Sequence, residues 1–182
     1  MSSGKSLDIL KVAYNYEERE QHVLLLSPSI DDRDGVNIIK SRTGLEREAT
    51  VFRPSDNLFN LVQLLESDQE INCVLVDEAQ FLTHFQVCQL SDVVDHLDIP
   101  VVCYGLRSDF RLEPFEGSKY LMAIADSIEE IKTVCWCGEK ATVNARIQNG
   151  EVLLEGEQVL IGGNESYIPL CRKHYKEGKI TR

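Results

Sequence analysis

The chain of 182 residues is long enough for one substantial core with a small addition. Its apolar content of 43% and charged content of 27% are typical of a globular protein, and no apolar run approaches the roughly 18 residues of a membrane span, so we expect a cytoplasmic protein without a membrane partner. The net charge of −11 argues against broad nucleic-acid binding, which needs a basic face, but allows a basic pocket for a phosphorylated small molecule.

The first residues match the end of a phosphate-binding loop. Ser3, Gly4, Lys5 and Ser6 stand directly before a predicted helix over 7–20. Backbone N–H groups at such a helix start face a phosphate, Lys5 reaches the β- and γ-phosphates, and the Ser6 hydroxyl ligates Mg²⁺. The tripeptide Gly-Lys-Ser is frequent by chance, so this motif needs support from elsewhere in the chain.

Further elements follow in a regular order. Apolar runs predict strands at 22–27, 71–76 and 99–105, and helical spacing predicts helices over 56–67 and 83–97. Asp56 is the predicted N-cap of the second helix, and Leu7, Leu10 and Tyr14 form the predicted apolar face of the first. Residues 35–55 show weak periodicity and several charges, which indicate a mobile loop. The alternation predicts an α/β fold with a parallel sheet and covering helices.

Two acids end the second predicted strand. A Walker-type site needs an acid at the tip of a buried strand to hold hydrated Mg²⁺, and Asp77 stands there. Glu78 then remains free to accept a proton from an attacking hydroxyl. Solvent-facing acids at a strand end are common, but both halves in the correct order are much less so. The sequence therefore predicts a nucleotide site.

The character of the chain changes near residues 130–133. Glycines become frequent, and residues 142–147 and 151–156 are typical of short antiparallel strands. We predict a nucleotide-binding α/β domain over 1–132 and a small module over 133–182.

Four ligand-type residues in that module predict a metal site. Cys135, Cys137, Cys171 and His174 offer three sulfurs and an imidazole, a set that suits tetrahedral Zn²⁺. The first pair is C-x-C, one residue shorter than usual, and Gly138 allows a tight turn after it. The alternative is a set of unlinked core cysteines. Four protein ligands leave no open position, so the predicted zinc is structural.

The whole chain resembles the type II, cytosolic thymidine kinase family of bacteria and animals. The resemblance rests on motifs in the family's order: Ser3 to Ser6, Asp31-Asp32-Arg33, Asp77-Glu78-Ala79-Gln80-Phe81, Tyr104 to Phe110, Cys135 to Gly138, Glu157 to Tyr167 with "IGGNESY", and Cys171 to Tyr175. It implies a P-loop (RecA-like) sheet and a lasso-like zinc module that contributes to the nucleoside site.

The resemblance also implies a reaction. The family transfers the γ-phosphate of ATP to the 5′-hydroxyl of thymidine. Lys5 and Ser6 would then hold phosphate and Mg²⁺, Asp77 would assist the metal, and Glu78 would be the base. The matching residues that line the nucleotide site are Ser3, Gly4, Lys5, Ser6, Asp31, Asp32, Arg33, Asp77, Glu78, Ala79 and Gln80.

A nucleoside pocket is implied in the same way. Phe110 matches the aromatic residue that packs on thymine, with Phe81, Leu106 and Phe115 as further walls, although these three are equally typical of core positions. A loop that holds the edge of the base matches Gln158, Val159, Leu160, Ile161, Gly162 and Tyr167. Feedback inhibition by thymidine triphosphate and assembly into a homotetramer are further family expectations.

Two other functions remain open at this level. One is a P-loop ATPase with a zinc ribbon that acts on nucleic acid, and the other is a nucleotide-binding homologue without catalysis. The family pattern also has a strand and a first glycine ahead of the position of Met1. We therefore expect the natural protein to carry a further strand upstream.

Overall fold

Helices and strands alternate through most of the chain in the computed structural model, which describes residues 3–30, 37–41, 43–160 and 166–181. The helices are α1 (Lys5–Glu17), α2 (Leu58–Asp68), α3 (His84–Leu97), α4 (Glu116–Ile124) and α5 (Arg172–Lys176). The strands are β1 (Val23–Pro28), β2 (Ile38–Lys40), β3 (Glu46–Glu48), β4 (Thr50–Phe52), β5 (Cys73–Val76), β6 (Val101–Cys103), β7 (Thr133–Val134), β8 (Lys140–Ala141), β9 (Val143–Gln148), β10 (Glu151–Val152) and β11 (Tyr167–Leu170).

Four parallel strands form the main sheet, in the order β4-β1-β5-β6. Leu24 of β1 lies opposite Val74 of β5, and Val74 lies opposite Val101 of β6. Parallel strands end at one edge of a sheet, so the residues that follow β5 and β6 lie side by side there. The predicted α/β class with a P-loop-like parallel sheet is confirmed.

The sheet is covered on both faces because successive side chains of a strand point in opposite directions. Leu24 and Leu26 of β1 pack in one cluster with residues of α2 and α3. Leu25 packs in another cluster with Ile9 and Leu10 of α1. Helix α1 is therefore held on one face, which places its first turn near the ends of the central strands.

The stretch over 35–55 differs from the prediction of a mobile loop. Within its described residues, β2 and β3 form an antiparallel pair, and β4 joins the main sheet in parallel with β1. Phe52 of β4 is fully buried in the core. Each of these strands has only three residues, so no periodicity is visible in the sequence, and pairing with distant segments defines them instead.

Two predictions about helices were wrong in detail. Asn57, not Asp56, caps α2 by accepting a hydrogen bond from the Asn60 N–H, while the Asp56 carboxylate accepts from the Arg53 N–H at 2.7 Å. In α1 the buried face is formed by Ile9, Leu10 and Ala13. The side chains of Leu7 and Tyr14, predicted to face the core, are exposed.

The C-terminal part has its own sheet and core. Strand β9 pairs antiparallel with β10 on one side and β11 on the other, as the alternating pattern predicted. A third hydrophobic cluster contains Cys135, Cys171 and Tyr175 together with residues of these strands. The division at 132/133 stays a prediction. Among the described residues, no helix is long and apolar enough to cross a membrane.

Candidate active site and metal centre

The start of α1 has the geometry of a phosphate-binding turn. Gly4 is the N-cap, with a left-handed backbone at φ 85°, and its carbonyl accepts a hydrogen bond from the Asp8 N–H at 2.9 Å. Lys5 and Ser6 form the first turn, where backbone N–H groups have no partner within the helix. Such a turn presents partial positive charge to an anion.

The structure joins this turn to the acids after β5. Lys5 Nζ lies 3.4 Å from Glu78 Oε1, although the residues are 73 positions apart. Both side chains are largely buried, at 14% and 11% exposure. The two halves of the predicted nucleotide site therefore meet at the carboxyl edge of the sheet.

Glu78 has an unusual backbone. Its φ of 45° is in the left-handed region, which costs a residue with a side chain on the order of 1–3 kcal/mol. The turn is held on both sides: Asp77 Oδ1 accepts from the Glu78 N–H at 2.8 Å, and the Ala79 N–H donates to the Tyr104 carbonyl at 2.8 Å. The surrounding fold fixes the direction of the Glu78 carboxylate.

The Gln80 side chain also orients the Glu78 carboxylate. Its side-chain N–H donates to Glu78 Oε2, and its Oε1 accepts from the Leu106 N–H at 3.0 Å. Gln80 is buried, and Ala79 beside it packs in the core. Their predicted contacts with a nucleotide stay predictions, whereas their contacts within the protein tie the end of β5 to the segment after β6.

Three of the predicted pocket walls lie around the segment that follows β6. The rings of Phe81 and Phe115 meet edge to face, with centroids 6.0 Å apart. The Leu106 carbonyl accepts a hydrogen bond from the Ser118 hydroxyl at 2.6 Å, which holds the wall against α4.

A second group forms around Phe110. The guanidinium of Arg146 lies 4.0 Å from the centroid of the Phe110 ring and donates to the carbonyls of Glu157 and Gln158 and to the Tyr167 hydroxyl. Phe110, Gln158 and Tyr167 were predicted from the sequence, and Arg146 was not. No signal in the sequence marked Arg146, because it stands with Asn144 and Gln148 at the polar positions of an alternating strand, which usually face water.

The side chains of Val159 and Leu160 are exposed and lie outside these groups. The backbone of Leu160 belongs to the Phe110 group, because its carbonyl accepts from the Tyr167 hydroxyl at 3.1 Å. The remaining predicted residues lie outside the described part of the chain: Asp31, Asp32, Arg33, Ile161 and Gly162.

The four predicted zinc ligands converge. One ligand atom from each of Cys135, Cys137, Cys171 and His174 lies within 4.8 Å of the others. His174 Nδ1 is 3.5 Å from the Cys135 sulfur and 3.4 Å from the Cys171 sulfur. Tetrahedral zinc with ordinary bond lengths would place sulfur and nitrogen about 3.6 Å apart, so the residues fit the metal.

Local structure prepares these ligands. Gly138, at φ 91°, closes a turn by donating its N–H to the Cys135 carbonyl at 2.9 Å, which turns the short C-x-C pair inward. Burial opposes the thiolate of Cys135, but hydrogen bonds from the backbone of Cys137 and Cys171 and from His174 lower its pKa to about 6. A thiolate is the form that binds zinc.

The metal centre contacts the Phe110 group through one residue. Tyr175, next to the ligand His174 on α5, is buried and donates its hydroxyl to the Phe110 carbonyl at 2.7 Å. The indole of Trp136 stacks on the His174 ring at 4.2 Å. The cluster and the predicted nucleoside pocket are therefore linked through Tyr175.

A helix start suited to phosphate, two acids at the end of a buried parallel strand and a Cys/His cluster that could hold zinc are the features of a P-loop-like α/β protein. That combination describes a class rather than one reaction. The chain belongs to the thymidine kinase family, whose family model, "Thymidine kinase", matches residues 1–175.

Curated relatives agree along nearly the whole chain. A thymidine kinase of Haemophilus influenzae is 53% identical over 178 residues, which cover 97% of this chain and 92% of the relative. A thymidine kinase of Lactiplantibacillus plantarum is 53% identical, with 96% and 91% covered. One of Rhodopirellula baltica is 54% identical, with 100% and 87% covered.

Proposed function

We propose that this protein is an ATP-dependent thymidine kinase, which transfers the γ-phosphate of ATP to the 5′-hydroxyl of thymidine. The observation that carries the proposal is the contact between Lys5 at the start of α1 and Glu78 after β5. A lysine at a helix start beside a buried carboxylate supports the proposal, because phosphoryl transfer to a hydroxyl uses a cation on the phosphate and a base on the hydroxyl. Membership of the thymidine kinase family supplies the nucleoside.

The phosphate end binds ATP. The first-turn N–H groups of α1 face its phosphates, and Lys5 neutralises charge on the β- and γ-phosphates. Ser6 and Asp77 would hold Mg²⁺, and the residues 31–33 would line the nucleotide site. A magnesium ion held by these residues would supply neutralisation of the charge that develops on the phosphate.

Glu78 acts as the general base. Lys5 and Gln80 each contact one of its carboxylate oxygens, so the side chain is oriented before substrate arrives. The carboxylate accepts the proton of the 5′-hydroxyl as that oxygen attacks the γ-phosphorus. Before this step, when ATP binds, Lys5 shifts from the carboxylate toward the phosphate.

The nucleoside end combines aromatic walls with backbone. Phe110 packs on the thymine ring, with Phe81, Leu106 and Phe115 as walls. Backbone groups of 158–162 and Tyr167 hold the edge of the base. Structural Zn²⁺ on the four-ligand cluster would stabilise this end of the site, since Tyr175 links α5 to Phe110.

The family resemblance supports further parts of the proposal. Thymidine triphosphate is the proposed feedback inhibitor, a homotetramer the proposed assembly, and the cytoplasm the proposed compartment. The net charge of −11 supports the absence of nucleic acid among the partners.

A direct assay tests the reaction. Protein is mixed with Mg-ATP and thymidine, and thymidine monophosphate is measured. We expect product in wild type and a loss of at least about a hundredfold in Lys5→Met, because the phosphate cation is removed. Lys11→Met is the matched control, since Lys11 lies on the same helix and pairs with Asp8 on the surface.

Two results would contradict the proposal. ATP hydrolysis that DNA stimulates and thymidine does not affect would indicate the ATPase alternative. ATP binding without any thymidine monophosphate would indicate a homologue that has lost catalysis.

A further inference from the structure

Arg146 on β9 is a buried cation with an unusual set of partners. It is 5% exposed, and its guanidinium donates from Nη1 to the Glu157 carbonyl at 2.7 Å and from Nη2 to the Gln158 carbonyl at 3.3 Å. Nε and Nη2 both donate to the Tyr167 hydroxyl, at 3.0 and 2.6 Å. Among the described residues, no carboxylate forms an ion pair with it.

Such an arrangement is expensive for folding alone. A buried charge without a counter-ion loses hydration that only good hydrogen bonds replace, and an apolar residue of similar volume is commonly as stable or more so at such a site. Side chains alternate along a strand, so the neighbours of Arg146 on its own face of β9 are the polar residues Asn144 and Gln148. Of these three polar positions only Arg146 is buried, so its contacts with other segments explain the arginine.

The partners of Arg146 are the parts of the proposed thymine site. Its guanidinium lies 4.0 Å from the Phe110 ring centroid, within range of a cation–π contact. The Tyr167 hydroxyl that it holds donates in turn to the Leu160 carbonyl at 3.1 Å. One side chain thus fixes the ring that packs on the base, the phenol beside it and the backbone of 157–160.

The sheet register explains why an arginine is needed. Tyr167 of β11 is directly opposite Arg146 of β9, so the two side chains extend from one face of the pair. A guanidinium offers five donors in a planar fork and keeps a flat face for an aromatic ring. Lysine has a single point of charge and cannot make the paired contacts at the same time.

We propose that Arg146 is a positioning residue that sets the affinity for the pyrimidine base. It holds the Phe110 ring and the 157–160 backbone in place, so that little ordering free energy is lost when a flat base binds to them. The inference rests on the proposed function, because that function assigns the base to these groups.

Kinetics of substituted proteins test the proposal. In Arg146→Met we expect the KM for thymidine to rise about tenfold or more, while the KM for ATP changes less than about twofold, because the phosphate end is separate. Arg146→Lys should fail to restore the thymidine KM. Arg47→Met is the matched control, since Arg47 is a surface arginine paired with Glu17.

A double-mutant cycle adds a sharper readout. Tyr167→Phe keeps the ring and removes only the hydroxyl that accepts from Arg146. We expect it to raise the thymidine KM as well, and the double variant to show less than the product of the two single effects, because both act on one network. Folded variants with an unchanged thymidine KM, or with equal losses for thymidine and ATP, would overturn the proposal. If Arg146→Met does not fold, the same criterion applies to Tyr167→Phe.

Hydrogen exchange separates this inference from the proposed function. Backbone amides of 157–160 should exchange faster in Arg146→Met than in wild type, whether or not the protein phosphorylates thymidine. If wild type has no thymidine kinase activity, the proposed function is contradicted. The comparison of exchange rates between wild type and Arg146→Met still tests the positioning role. Equal exchange rates in the two proteins would overturn the positioning role.

Discussion

Glu78 combines a constrained backbone with a carboxylate held at both oxygens. The left-handed turn sets its direction, and Lys5 and Gln80 contact its two oxygens. A base oriented in this way needs little rearrangement at the moment of proton transfer, which is the condition for efficient general-base catalysis.

Glu78→Gln tests that role at the scale of one residue. Glutamine has nearly the same shape but accepts no proton, so we expect kcat to fall by roughly a hundredfold to ten-thousandfold with the KM for ATP nearly unchanged. Steady-state kinetics measure both values. Glu151→Gln, at an exposed position of β10, is the control. An equal loss of ATP binding and turnover would argue against a base.

Site residues were predictable from the sequence where they belong to a short motif or to a characteristic spacing. Lys5 and Glu78 each belong to a recognisable sequence motif, and the expectation that the motifs meet follows from the parallel sheet. The four zinc ligands were equally visible from their spacing. Arg146 was not, because a single arginine in a strand becomes meaningful only when Phe110 and Tyr167 are brought to it by the fold.

Helix α4 packs through a glycine against the turn that follows Glu78. A β-carbon on Gly117 would lie 2.5 Å from the Ala79 carbonyl oxygen and 2.8 Å from that of Leu82. These oxygens belong to the backbone of the turn that follows Glu78, so a side chain here must displace either the turn or the helix.

Gly117→Ala should therefore harm stability and catalysis together. We expect the free energy of unfolding to fall by about 1–3 kcal/mol, because the packed backbone must shift, and kcat to fall as Glu78 moves. Thermal unfolding and kinetics measure the two effects. Lys119→Ala, at an exposed position of the same helix, controls for helix propensity. A higher melting temperature with full activity would contradict this, because it would show that the turn after Glu78 accommodates the added methyl group without loss of stability.

Elements were predictable where a helical repeat or an apolar run marked them in the sequence. These patterns found α1, α2, α3, β1, β5 and β6, whereas β2, β3 and β4 lie in a charged stretch that shows neither pattern. The cap of α2 was missed for a tertiary reason. The buried Gln86 side chain donates to the carbonyls of Arg53 and Asp56, which fixes Asp56 in the preceding turn and leaves Asn57 to cap.

At the scale of the molecule, the Cys/His cluster and the proposed nucleoside pocket meet at Phe110. Tyr175, next to His174 of the cluster, donates to the Phe110 carbonyl, and the Arg146 guanidinium lies over the Phe110 ring. A loss of metal should therefore weaken the binding of thymidine more than the binding of ATP.

Metal removal tests this coupling. We expect about one zinc per chain by elemental analysis and, after treatment with a chelator, a larger rise in the KM for thymidine than for ATP. Restoring zinc should restore both values. A metal-free protein with unchanged thymidine kinetics would contradict the coupling.

Thiol labelling gives a second readout of the same experiment. With zinc bound, an alkylating agent near neutral pH should label exposed Cys88, and after chelation also Cys135, Cys137 and Cys171. Cys73 and Cys103 should stay unlabelled, since burial raises the pKa of Cys73 and brings that of Cys103 to about 12. Cys88→Ser is the control, because it should remove the label from the zinc-bound protein.

The left-handed backbone at Glu78 has a consequence for how this protein responds to selection. Glycine adopts that conformation without strain, so Glu78→Gly relieves the turn, but it also removes the carboxylate that contacts Lys5 and Gln80. A library sorted for heat resistance alone weighs only these two effects on stability and not the loss of the proposed base. Directed evolution of a more robust enzyme must retain a turnover screen at every round.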